Sequence, residues 1–302
     1  MFELAVDKER ECGLLSPRLC DIILKNTMNR VEKGVLMGYK NIQPILADDD
    51  KDTKSQQDKL NANYTPIKNV YFVFVDVLGF KQTFDENRKK PDDEFAKPYK
   101  DSFQYFSFLM GRSRFAKTSN YWNAGQTSDS LYFYTDRIDD LEIFIKIYAH
   151  FSLYAMSKNV FLRGGIAKGG LYVDKPYQFY GDSVIKAYLL ESDIAKMPRV
   201  AIDNQTYEAL KEEDNVVSFV SIDSKSNRYY LNPFVAISNN ELERLLNVSP
   251  TDIFVIGLNE INKIKENISK NLERFEFDNN NYQKYVFLQQ ELEENRKNWE
   301  FE

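Results

Sequence analysis

Residues 69–77, NVYFVFVDV, constrain the chain more than any other stretch. Their aromatic and β-branched side chains follow one another without polar relief, which predicts a strand buried inside a sheet. That strand nevertheless carries an acid, Asp76, near its end, and Gly79 follows in a turn. A carboxylate placed there needs a partner that the apolar run cannot supply.

The segments that follow fix where the partner lies. Tyr99, Phe103, Phe106 and Met110 make one helical stripe, and Leu141, Phe144, Ile145, Tyr148, Phe151 and Ala155 make another. Between them SNYWNAG and SLYFYTD flank the polar QTSD, which predicts a β-hairpin; VFLRGGIAKG then reads as a strand. Strand, helix, strand, strand, helix, strand is the split βαβ order of an α+β, ferredoxin-like sheet with helices on one face. In that arrangement the first strand pairs antiparallel with the second strand of the hairpin. Asp76 at the end of one then meets Asp129 at the start of the other. Singly, each is as readily a turn residue or helix cap. Together, two unpaired carboxylates would repel, and a divalent cation resolves the conflict; hard oxygen ligands without His or Cys select Mg²⁺ or Mn²⁺. Gly79 lets the backbone of VLGFK approach a phosphate, and Lys81 adds a point charge. The expected site is a pair of metal ions with a triphosphate held against the turn.

Beyond this segment, GLYVDKPYQFYG predicts a second hairpin, DSVIKAYLLESDIAKM a helix, RVAID a strand, and VVSFVSID with RYYLNPFVAI a further strand pair. Residues 1–66 read as an N-terminal arm and flexible linker, 67–238 as the catalytic domain and 239–302 as a helical C-terminal extension, with Ser249-Pro250 opening a long helix. In the chain of 302 residues, the net charge of −6 argues against a nucleic-acid coat. Cys12 and Cys20 form no metal or disulfide pattern, and the single histidine, His150, lies in an apolar helical stretch, where a structural role is expected. The start, MFELAVDKERE, lacks a basic leader and no run is long enough to span a membrane, so a cytoplasmic protein is expected.

Four segments in order resemble class III nucleotide cyclase catalytic domains: DVLGF, SDSLYF, LRGGIAKGGLYVD and FYGDSVIKAYLLES, over about residues 69–235. The departures from that pattern are specific. Gly125 stands where purine cyclases carry a base-reading Lys or Glu, and Ile185 and Leu189 stand where they carry Asn and Arg. With Ser128 before Asp129, then Ala187-Tyr188, Leu190-Glu191 and Pro198-Arg199, the chain is more similar to the pyrimidine cyclases of the Pycsar antiphage systems. The resemblance implies a homodimer, with sites at the interface, that converts UTP to 3′,5′-cyclic UMP read by a separate effector. Alternatives are a cytidylate cyclase using CTP, or a degenerate module that binds nucleotide without catalysis. A polymerase palm or diguanylate cyclase shares the fold, but TSDS replaces the GG[DE]EF hairpin. Under the cyclase reading, Asp76 and Asp129 hold two ions with the Val77 carbonyl as a further ligand, and Leu78, Gly79 and Phe80 bind phosphate through backbone amides.

Other candidates carry two readings each. Arg163, in a strand of small and apolar residues, binds phosphate or braces an acid; Arg199 is similar. Lys186 is a solvated lysine or a substitute for the missing Asn or Arg. Asn123, Gln126, Phe179 and Tyr180 read or stack on a base, or belong to the core. GGIAKGG is not a P-loop, and its glycines point to close packing.

Overall fold

The computed structural model describes residues 66–87, 92–113, 123–175, 178–194, 196–213, 216–223, 226–237, 257–297 and 299. The expected arm and linker, apart from Pro66, and the Ser249-Pro250 helix start lie outside the described residues.

The apolar run is strand β1 (Pro66–Val77). After the short helix α1 (Phe80–Asn87), the first stripe lies on α2 (Asp92–Arg112). The hairpin is β2 (Asn123–Thr127) and β3 (Ser130–Thr135), closed by the two residues Ser128 and Asp129. The second stripe is on α3 (Ile138–Ser157) and leads into β4 (Leu162–Lys175). The strands run β2-β3-β1-β4 across the sheet, the split βαβ order, and β3 and β4 both pair antiparallel with β1. The next elements are β5 (Gln178–Tyr180), α4 (Asp182–Leu189) with a π-helical turn at Leu190–Ile194, and β6 (Val200–Ile202). Helix α5 (Asn204–Leu210), β7 (Val220–Asp223) and β8 (Arg228–Leu231) complete the sheet, in which β6, β8 and β7 continue outward from β4.

Period-two alternation along β1 divides the core. Tyr71, Val73, Val75 and Val77 point into a large apolar cluster with Leu141, Ile145, Phe151 and their neighbours on α3, and with Phe103 and Phe106 on α2. Val70 and Phe72 point the other way, into a smaller cluster with Ala187 and Leu190 of α4 and its π-helical turn. The long helices thus share one face of the sheet, as the patterning predicts, while short α4 leans on the other. Gly165 permits that approach: a Cβ there would stand 2.1 Å from the Ala187 carbonyl oxygen.

Two C-terminal helices, α6 (Leu258–Arg274) and α7 (Asn279–Arg296), join the large cluster through Ile261, Ile264 and Ile268, and through Tyr285, Leu288 and Leu292. The spacing of these residues places them on one stripe of each helix. Asn267 on α6 donates to the carbonyl of Met156 at 2.9 Å and so caps the end of α3. Among the described residues no helix is long and apolar enough to cross a membrane.

Candidate active site

Asp76 lies beside Ser130 on β3 and Arg163 on β4, its cross-strand partners in the two registers. All three share the sheet face that carries Phe72 and α4, because residues opposite one another in neighbouring strands point the same way. Ser130 Oγ donates to Asp76 Oδ1 at 3.0 Å, and an Arg163 Nη lies 3.4 Å from Oδ2. Arg163 Nε in turn sits 2.8 Å from Glu191 Oε1, and Glu191 is buried in the π-helical turn after α4. Arg163 therefore braces two acids, in line with one of its two expected readings.

Asp129 reaches the same place by way of the hairpin turn. Its carbonyl accepts the Val77 N–H at 3.0 Å, which pins the turn to the end of β1. Ser128 precedes it at φ 56°, in the left-handed region that costs an L-residue about 1–2 kcal/mol. Burial raises the Asp76 pKa above its ordinary 3.8, and the charge of Asp129 raises it further; Arg163 and Ser130 pull in the other direction and do not win.

The turn after Asp76 is partly committed. Gly79 takes φ 70°, a conformation that favours glycine, and its carbonyl accepts the Thr83 N–H at 3.0 Å to open α1. Leu78 gives its N–H to the Phe161 carbonyl at 2.8 Å, which removes it from the expected anion-binding amides. Phe80 packs its ring on Tyr99 at 5.1 Å, and Lys81 is exposed on α1.

The remaining candidates are dispersed. Gln126 stands opposite Leu131, so it faces α2 rather than the carboxylates, and its amide donates to the Ser128 carbonyl at 3.2 Å. Asn123 begins β2 opposite Tyr134. Phe179 packs 4.7 Å from Tyr132 and 5.0 Å from Phe72, as part of an aromatic wall on the carboxylate face, whereas Tyr180 is exposed opposite Tyr172. Lys186 pairs with Asp182 at 2.9 Å and donates to the Lys168 carbonyl at 3.2 Å. Lys168 lies on the order of 16 Å along β4 from Arg163, so one chain does not bring Lys186 to its own Asp76. Arg199 pairs with Asp223 at 2.8 Å and packs on Tyr230, the bracing reading expected for it. At Gly125 a Cβ would meet Tyr132 Oη at 2.4 Å, so the phenol fills the space of a side chain there.

Sequence reasoning passed over Ser130 and gave Glu191 no partner. The alternation of β3 could have placed Ser130 on the Asp76 face, but nothing in the sequence marks a π-helical turn. Among the described residues no three His, Cys, Asp or Glu side chains gather as a metal cage. The donor set, Asp76 and Asp129 beside the Val77 main chain, instead suits Mg²⁺ or Mn²⁺. Such ions keep water and substrate phosphate as their other ligands.

No protein-family model matches the chain, and no curated protein does. Among solved structures, the guanylyl cyclase domain of the RhoGC fusion protein from the aquatic fungus Blastocladiella emersonii is 16% identical, covering 56% of this chain and 97% of that one with a TM-score of 0.40. The adenylyl cyclase CyaB from P. aeruginosa is 13% identical, covering 56% and 94%, with a TM-score of 0.41. A bacterial light-regulated adenylyl cyclase is 11% identical, covering 81% and 66%, with a TM-score of 0.40. These are likenesses in the course of the chain and say nothing of its chemistry.

Proposed function

We propose that the chain is a pyrimidine nucleotide cyclase that converts UTP to 3′,5′-cyclic UMP and pyrophosphate. One observation carries the reading: the β1–β3 pairing sets Asp76 beside the Asp129 turn, where burial, and after it the charge of Asp129, raises the Asp76 pKa. A buried acid with a second carboxylate beside it is poised for divalent cations. The ordered motifs from DVLGF to FYGDSVIKAYLLES add the cyclase assignment, and the Ser128, Tyr188 and Pro198 departures add the pyrimidine.

In this reading Asp76, Asp129 and the Val77 carbonyl hold Mg²⁺ or Mn²⁺. When bound, the ions acidify the ribose 3′-hydroxyl and neutralise charge on the triphosphate. The hydroxyl gives its proton to solvent water, its oxygen bonds to the α-phosphorus, and the bond from that phosphorus to the pyrophosphate oxygen breaks. Ser130 orients the Asp76 carboxylate. Arg163, 3.4 Å from Asp76, would offer its guanidinium to the phosphate of a bound nucleotide. Gly79 and Phe80 offer backbone amides at the start of α1. Groups remote from Asp76 in one chain, Lys186 and Tyr180 among them, would act across a homodimer interface. The product would be read by a separate cyclic-nucleotide effector in antiphage defence.

Incubation of the protein with ATP, GTP, CTP and UTP separately, each with Mn²⁺, tests the reading. Cyclic UMP as the dominant product is expected; cyclic CMP would move the substrate to CTP. No cyclic mononucleotide from any of the four would overturn the cyclase assignment and leave a nucleotide-binding module, which the standing Asp76–Arg163 bridge favours.

A further inference from the structure

The last described helix carries a cation to the carboxylate end of the sheet. On α7, Lys284, Phe287 and Glu291 fall at helical spacing along one stripe. The Phe287 ring lies 5.3 Å from the Arg199 guanidinium, and Glu291 accepts the Tyr230 hydroxyl at 2.8 Å. Tyr230 stands opposite Ala201, which shares its cluster with Phe72, while Phe287 also packs against the large cluster, so the stripe lies at the strand ends between the two faces. The Arg199 carbonyl accepts the Gly164 N–H at 3.1 Å, which makes Arg163 and Arg199 neighbours at the starts of adjacent strands. One turn before Phe287, Lys284 therefore comes over the start of β4, where Arg163 bridges Asp76 and Glu191. Tyr285, the next residue, packs edge-on against Phe161 at 5.1 Å and holds this turn of α7 in place.

We propose that Lys284 is a phosphate-binding residue of the candidate site and, beside Arg163, contacts the polyphosphate of a nucleoside triphosphate. The assignment rests on the reading of Asp76 and Asp129 as a nucleotide site. Lys284 is half-buried, and its ammonium donates to a neutral acceptor, Asn281 Oδ1, at 2.7 Å. Burial and the charge of Arg163 both push its pKa below the ordinary lysine value. A phosphate oxygen that met both Lys284 and Arg163 would offset that cost. Asp76 and Asp129 would hold metal ions, and Arg163 and Lys284 would contact phosphate oxygens. The chain thereby supplies from its C-terminal helices charge that Ile185 and Leu189 cannot supply from α4.

The test uses the full chain with Mg²⁺ and inorganic tripolyphosphate, followed by calorimetry, with UTP turnover measured in parallel. Lys284→Gln should weaken tripolyphosphate binding about tenfold and raise KM for UTP, with Tm unchanged, as loss of a charge-assisted hydrogen bond predicts. Lys284→Arg, which keeps the charge, should recover most of that affinity. Equal affinity in the wild type and Lys284→Gln overturns the assignment, as does a loss that tracks a fall in Tm. Tripolyphosphate binding without any cyclic nucleotide product would leave it standing and overturn the cyclase reading alone.

Discussion

Between Ser130 on one neighbouring strand and Arg163 on the other, the Asp76 carboxylate has a hydrogen bond at 3.0 Å and an ion-pair contact at 3.4 Å, and its pKa is raised all the same. A carboxyl whose folded pKa lies above its unfolded value binds its proton more tightly in the folded chain. The stability this brings is complete below the unfolded pKa and is lost as pH rises through the folded one. Asp76→Asn, which keeps the shape and an oxygen for Ser130, should therefore unfold at higher urea concentration than wild type near neutral pH. The gap should close as pH falls towards 3.8, the ordinary carboxylate value. Equal midpoints at neutral pH would contradict this account of Asp76. At this scale the sequence was informative where one period decided the outcome. Asp76 and Asp129 follow from strand alternation and hairpin order alone. Gln126 went astray because the amide was considered by its chemistry, while its place opposite Leu131 turns it to the helix face. Leu78 went astray because only the fold shows Phe161 waiting for its N–H.

Among the elements, α4 is the one that local patterning could not place. Its apolar residues Val184, Ala187 and Leu190 announce a helix, but not which face of the sheet receives it. The pair of glycines in LRGGIA carried that information: Gly164 and Gly165 clear the way for β1 and for α4, with no room for a methyl group at either. Gly165→Ala should cost roughly 1–3 kcal/mol, the range for overpacking a close contact. Gly111→Ala on α2 is the control, since nothing lies within 4 Å of the added methyl. It should be neutral or stabilising by up to about 1 kcal/mol. A Gly165→Ala variant as stable as the control, measured by chemical denaturation, would show that α4 does not sit this close to β4. The stripes on α2 and α3 were legible because each buries a wide apolar face; α1 was not, because none of its residues is buried.

At the scale of the whole molecule, the split βαβ unit and the C-terminal helices share one apolar core, through Ile264, Leu288 and their neighbours. The sequence showed the helices and not their destination, since an amphipathic stripe tells that a face is buried but not by what. That packing lets residues far apart in the chain, Asp76, Asp129, Arg163 and Lys284, converge on one end of the sheet. The account stands or falls on the two carboxylates acting together on a nucleotide. The most direct measurement compares Mn²⁺-dependent formation of cyclic UMP from UTP by the wild type and by Asp129→Asn, with unfolding midpoints recorded for both. Wild-type turnover, with at least a roughly 100-fold loss in the variant at unchanged stability, is the result expected when charge stabilisation at the reacting centre is removed. Turnover by Asp129→Asn within a few-fold of wild type would contradict the shared metal site.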